Sequence, residues 1–151
     1  MNAMKLLEED HRKVKKLLDE GEKTTEQATK RRTELLNELL VDLRIHETIE
    51  EEIFYPALEE HGKTKDIALE GYEEHHAVDR IAEELVVLDP SDETWGAKFT
   101  VMKENIEHHI EEEEGEMFEK ARQVLDEDEL SEIADLMEAR RTELRAEAGA
   151  A

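Results

Sequence analysis

The chain has no cysteine. That excludes a disulfide scaffold, a thiolate nucleophile, an iron–sulfur cluster and any zinc site built on sulfur. Proline occurs twice and glycine six times in 151 residues, nearly all where helices should end or bend. No apolar run approaches the roughly 20 residues that a membrane-spanning helix needs. The N-terminal MNAMKLLEEDH is too acidic, and too short in its apolar part, for a secretory signal. A cytoplasmic protein is therefore expected. Basic residues are scarce, 20 against 43 acidic ones, for a formal charge of −23. Phosphates and anionic headgroups are repelled by such a surface, which argues against nucleic acid or a membrane as partner.

What is present is helical periodicity. High charge can mean disorder, but 38% of the residues are hydrophobic and they recur at helical spacing. Helix A is predicted from about Ala3 to Glu20, ending at Gly21. The polar linker Glu22–Thr25 offers Thr24 or Thr25 as an N-cap for helix B, which starts near Glu26. Pro56 should kink helix B, because proline has no N–H to donate. His61-Gly62 reads as its C-cap. Helix C is expected from Thr64 to just before Asp89-Pro90, and helix D from Ser91 or Asp92, weakened at Gly115. A last helix, about Glu127 to Glu147, carries Leu130, Ile133, Met137 and Leu144 at helical spacing. The final AEAGAA reads as a frayed tail. Short connections make neighbours antiparallel. The expected fold is all-α, an up-down-up-down four-helix bundle over residues 1–125, with an additional C-terminal helix and tail over 126–151 packed on it.

A weak internal repeat runs through the bundle. EEDHRKVKKLL near the start resembles EEHHAVDRIAEEL in helix C. LLVDLRIHETIEEEIFYPAL in helix B resembles FTVMKENIEHHIEEEEGEMFEKA in helix D. The offsets are 64 residues from His11 to His75 and 63 from His46 to His109. Reuse of one helix pair predicts a pseudo-twofold axis that brings two similar sites together.

Of the seven histidines, three begin a His-x-x-x-Glu pattern: His46/Glu50, His108/Glu112 and His109/Glu113. In a chain this rich in Glu the spacing alone decides nothing. The phase is more informative. The core-facing seam of helix B reads Leu36, Leu39, Leu43, His46, Glu50, Ile53. Helix D gives Phe99, Met102, Ile106, His109, Glu113, Met117. Helices A and C give Leu7, His11, Val14, Leu18 and Gly71, His75, Val78, Ala82, Leu85. Each apolar stripe is thus interrupted by polar residues. One histidine on an apolar face is usually a satisfied core residue; four in register on four helices need another explanation. An unpaired core carboxylate is costly, and no Lys or Arg lies on these seams nearby. A bound cation is the economical partner, and facing helices are how bundles build two-metal sites. His61 is more simply a helix-end residue. His76 and His108 sit one position off the seam. The remaining acids of the 50–52 and 111–114 runs read as solvated face, and Tyr72, one turn before His75, as core.

Imidazole and carboxylate donors suit iron, manganese, zinc or copper. Two divalent ions carry four positive charges, of which Glu50 and Glu113 neutralise two. An oxo, hydroxo or anionic ligand would balance the rest, which favours oxygen-reactive iron over structural zinc.

At these residues the sequence resembles the hemerythrin-like, or HHE cation-binding, family over about residues 4 to 122. The matching pieces are Asp10-His11, the HETIEEEIFYP of His46 to Pro56, Glu74-His75 and the HIEEEEGEMF of His109 to Phe118. The resemblance implies terminal iron ligation by His11, His46, His75 and His109. It implies bridging of two irons, oxo- or hydroxo-linked, by Glu50 and Glu113, with manganese or zinc behind iron. It also implies a small ligand: dioxygen, hydrogen peroxide or nitric oxide. Two departures from the oxygen-carrying members stand out. Their second histidine one turn before the helix C ligand is here Gly71. Their last carboxylate lies five residues after its histidine, where this chain has Glu114 beside Glu113. Glu47 and Glu114 are accordingly possible additional ligands, and Asp79 a weaker one. The missing histidine should leave a coordination position to water or substrate. The expectation is a centre that reacts with or senses dioxygen, peroxide or nitric oxide, with catalase-like peroxide removal one form of it. The rivals are an iron store without turnover, a reversible oxygen carrier, a ferritin-like site on Glu8-x-x-His11 and Glu73-x-x-His76, and a metal-free structural bundle.

Overall fold

The computed structural model describes residues 1–150, and those residues are helical throughout apart from short connections. Helix α1 spans Ala3–Glu22, and the Asn2 side chain caps it by accepting from the Lys5 N–H. Helix α2, Thr29–Ile49, runs into a π-helical turn, Glu50–Phe54, and then α3, Tyr55–Glu59. Helix α4 spans Gly62–Val87. Helix α5, Trp95–Glu112, repeats the pattern of α2, with a π turn at Glu113–Met117 followed by α6, Phe118–Val124. Helix α7, Glu127–Ala150, packs across α1 and α2. The four rods are therefore α1, α2 with α3, α4, and α5 with α6, with one further helix outside them.

Several ends differ from the sequence reading. Rod two is interrupted upstream of Pro56, because the π turn at Glu50–Phe54 takes up the irregularity and leaves Pro56 in the first turn of α3. Proline is well placed there, where its missing N–H is not needed. His61 is not at a C-cap. It is extended and begins α4, one residue before Gly62. Neither Thr24 nor Thr25 caps α2, which starts at Thr29. The Thr24 hydroxyl instead donates to the Gly21 carbonyl and accepts from Arg32. Arg32, 4% exposed, also donates to Pro90 O and lies over the Trp95 ring, closing that end of the bundle. Helix α7 continues to Ala150, past Glu147; residue 151 of the AEAGAA tail lies outside the described residues.

The interior has two apolar clusters. One holds Leu6, Leu7, Phe54, Tyr55, Phe118 and the inner face of α7. The other holds Val14, Leu18, Leu39, Leu43, Val78, Phe99 and Ile106. Between them lies a buried layer of His11, His46, Glu50, His75, His109 and Glu113. No described helix is long and apolar enough to cross a membrane.

Candidate metal centre

Each rod supplies one histidine to the buried layer, and rods two and four each add a glutamate one turn later. The two π turns begin at those glutamates, Glu50 and Glu113. A π turn inserts an extra residue into the helix, and such turns recur at functional sites. All six seam residues come together. Glu50 Oε1 lies 3.2 Å from His46 Nε2 and 3.1 Å from His75 Nε2. Glu113 Oε1 lies 3.0 Å from His11 Nε2, and its Oε2 lies 3.2 Å from His109 Nε2. Each glutamate therefore reaches a histidine in both halves of the repeat.

The outward ring nitrogens are engaged too. His46 Nδ1 donates to Asp10 Oδ2 at 2.9 Å and His75 Nδ1 to Glu51 Oε2 at 2.8 Å. His109 Nδ1 donates to Glu74 Oε1 at 2.6 Å and His11 Nδ1 to Glu114 Oε2 at 2.5 Å. These four acids obey the repeat: Asp10 and Glu74 precede the first histidine of each pair, while Glu51 and Glu114 follow Glu50 and Glu113. Carboxylates in this position fix the tautomer and ring angle, so that Nε2 points inward. Helical phase assigns Glu51 to solvent, whereas it holds the His75 imidazole; Glu114, a possible ligand by the family resemblance, lies against the His11 ring. Applying the repeat offset to the neighbours of each histidine would find all four.

Five inward atoms have no hydrogen-bond partner: His11 Nε2, His46 Nε2, both oxygens of Glu50 and Glu113 Oε1. They approach one another without hydrogen-bond geometry. Orphaned buried polar atoms are rare and costly, and here they converge. Burial opposes a proton on His46, yet the Glu50 charge and the Asp10 hydrogen bond hold its pKa well above the usual range. At His75 the adjacent carboxylates of Glu50 and Glu51 likewise overcome burial and raise the pKa to about 9. Burial would raise Glu113, but its close contacts with Glu50, His109 and His11 pull it well below the usual carboxylate range. The layer thus attracts positive charge. A donor set of imidazoles and carboxylates around convergent orphaned atoms fits divalent transition-metal ions.

Tyr55 is the residue that sequence reasoning misses. Its hydroxyl donates to Glu113 Oε2 at 2.7 Å and lies 3.4 Å from His75 Nε2 and 3.3 Å from His109 Nε2. Burial and the charges of Glu113 and Glu50 keep this phenol protonated well past its usual range. Gly71 faces the Tyr55 ring, and a Cβ there would sit 2.7 Å from the ring carbon Cζ. The space that a side chain at residue 71 would fill is therefore occupied by the Tyr55 ring.

The other residues weighed fall outside the layer. Glu47, 6% exposed, lies beside Asp79, and burial with that like charge lifts its pKa to about 8. His76 and His108 are exposed and pair with Glu73 and Glu112. Tyr72 donates to Glu51 O and packs edge-on against Tyr55.

A helical bundle with this donor layer defines a class of cation-binding proteins. The Hemerythrin HHE cation binding domain profile matches residues 2–121, and the chain belongs to that family. Among solved structures, a hemerythrin HHE cation binding domain-containing protein from Mycobacterium kansasii is similar over 98% of this chain and 90% of its own, with 28% identity and a TM-score of 0.87. No curated protein sequence matches the chain. The protein is a metal-binding, hemerythrin-like bundle with an extra C-terminal helix.

Proposed function

We propose that the chain holds two iron ions, with His11, His46, His75 and His109 as terminal ligands and Glu50 and Glu113 as bridges. We further propose that this centre reacts with dioxygen, hydrogen peroxide or nitric oxide, peroxide removal being its favoured activity. The reading rests on the five orphaned atoms that converge in one buried layer, beside the Tyr55 hydroxyl. Iron at that position supplies Lewis acidity and reversible electron transfer to a small oxygen ligand.

The chain's own residues do the rest. Asp10, Glu51, Glu74 and Glu114 hold the four rings in register. Val14, Leu43, Val78, Ile106 and Ile110 wall the space beside the histidines and keep bulk water out. That space is about 20 Å³, room for a ligand the size of one water molecule. A store of many ions does not fit there. Tyr55 holds a proton at Oη, hydrogen-bonded to Glu113 and within reach of two imidazoles, so the chain keeps a proton donor beside the donor layer.

Metal analysis of protein from iron-supplemented cells, with a visible spectrum and a peroxide assay on the same sample, tests the reading. The expected result is about two irons per chain, as the paired donor sets imply, with catalytic loss of peroxide. Iron without turnover would make the protein a store or carrier. Protein that stays metal-free after anaerobic ferrous loading would refute the centre itself.

A further inference from the structure

One side of the centre adjoins an open cleft. Between α2 and α4 lies an open cleft of about 550 Å³. Its walls carry Glu47, Glu51, Glu52, Asp79 and Glu83, against the single cation Arg44. Leu43 and Glu47 also line the small space beside the four histidines, so the cleft and the centre share a wall. Glu47 is 6% exposed. Its carboxyl group lies against that of Asp79, with the His75 and His46 rings as the nearby basic groups. One ligand atom from each of Glu47, Glu51 and His75 lies within 4.8 Å of the others.

The repeat shows that this arrangement is particular to one side. The position equivalent to Glu47 is Ile110, and the position equivalent to Asp79 is Lys15. An isoleucine and a lysine do not attract a cation; two carboxylates do. Two carboxyl groups brought together in a mostly buried position are expensive, and no packing requirement explains Glu47 where its counterpart is apolar.

We propose that the cleft between α2 and α4 is the entrance for divalent metal ions, and that Glu47, Glu51 and Asp79 form a transient third cation site at its inner end, from which ions pass to the dinuclear centre. The proposal rests on the two-metal reading above. The carboxylates draw the hydrated ion in, exchange part of its water shell for oxygen ligands, and hand it to imidazole and glutamate donors one layer deeper. Hard oxygen ligands suit brief capture, and the mixed nitrogen and oxygen set beyond suits retention.

The test is stopped-flow uptake of Co²⁺ by the metal-free chain, read by the visible absorption of the bound ion, with the end-point stoichiometry taken from equilibrium titration. Glu47→Gln and Asp79→Asn, singly and together, are compared with Glu104→Gln/Glu111→Gln, which removes the same number of carboxyl groups from exposed positions outside the cleft. The double cleft variant should load at least about tenfold more slowly and still reach the wild-type stoichiometry, while the control stays within about twofold of wild type. Equal rates in the cleft and control variants overturn the proposal. Loss of an ion from the end point also overturns it, because Glu47 would then belong to the centre. A wild-type chain that takes up no Co²⁺ refutes the two-metal reading before any variant is compared.

Discussion

The half of the centre built on His11 and His46 and the half built on His75 and His109 share one repeat and differ where the repeat is broken. Tyr55, nine residues after His46, corresponds to Phe118, nine after His109. Tyr55 stacks on His75 with ring centroids 5.4 Å apart, and Phe118 lies over His11 at 6.5 Å. One half has a hydroxyl and the other a bare ring. The swap is paired with a second one: Gly71 makes room for the tyrosine, where its counterpart Leu7 is a core residue. The orienting carboxylates differ as well. Asp10 receives a hydrogen bond from Arg141 of α7 at 2.7 Å. Glu74 has instead the carboxylate of Glu112 beside it. Duplication explains the matched donors, and the departures from it give the halves different chemistry.

The largest expected effect breaks both halves together. Glu50 touches His46 on one side and His75 on the other, so Glu50→Ala should abolish paired loading. Wild type should gain roughly 3 kcal/mol from metal present at 100 times its dissociation constant, and the variant should gain far less. Thermal melts with and without metal measure this; an equal gain in both would remove Glu50 from the bridge. Next in size is Tyr55→Phe, which makes the second half resemble the first. Peroxide turnover should fall about 100-fold if the phenol acts as a general acid, with iron content retained. Unchanged turnover would leave the hydroxyl a structural group. Gly71→Ala approaches the same point from the other side, since its Cβ must displace the ring. It should cost about 1–3 kcal/mol in a denaturant melt, and the penalty should shrink when Tyr55 is replaced by Leu.

A smaller effect separates Glu47 from its apolar counterpart Ile110. The Glu47 pKa, about 8 against an ordinary 4.5, means that the folded chain binds this proton more tightly than the unfolded chain. For a raised acid, metal-free stability falls as pH rises from about 4.5 through about 8. Glu47→Gln removes that slope. The variant should therefore gain on wild type between pH 6 and pH 9 in melts of the metal-free protein. A constant gap across that range would show that Glu47 does not titrate there.

The helix pattern, the seam and the repeat are legible in the sequence because each depends on periodicity. His46 and Glu50 can be placed in the core because they fall in phase with Leu39 and Leu43. The repeat offset then matches all four histidines. Three things are not legible. The π turns shift phase by one residue at Glu50 and Glu113, so a strict 3.6-residue projection misplaces the residues beyond each turn, and Tyr55 reads as ordinary core for that reason. Glu51 and Glu114 look solvent-facing because each sits one residue off the seam, yet a glutamate is long enough to reach back to an imidazole on the neighbouring rod. His61 reads as a C-cap because a following glycine usually signals one, whereas Gly62 begins the next helix.

The contact between α7 and the centre is equally invisible in the sequence, since Arg141 and Asp10 lie 131 residues apart. It gives the smallest prediction and the one that reaches beyond residues 2–121, which match the family, since α7 lies after them. Arg141 neutralises part of the charge on Asp10, so Asp10 should pull less strongly on the His46 N–H than Glu74 pulls on that of His109. Arg141→Gln should make His46 a stronger donor and narrow the difference between the two metal positions. The Arg141 side chain is 22% exposed, so solvent screens the pair and the effect should be about 0.2–1 kcal/mol, at most about fivefold in one stepwise affinity. Stepwise calorimetric titration of the metal-free protein resolves such a change, and Arg141→Lys should restore part of it. If both affinities move together, α7 stabilises the bundle as a whole and does not distinguish its halves.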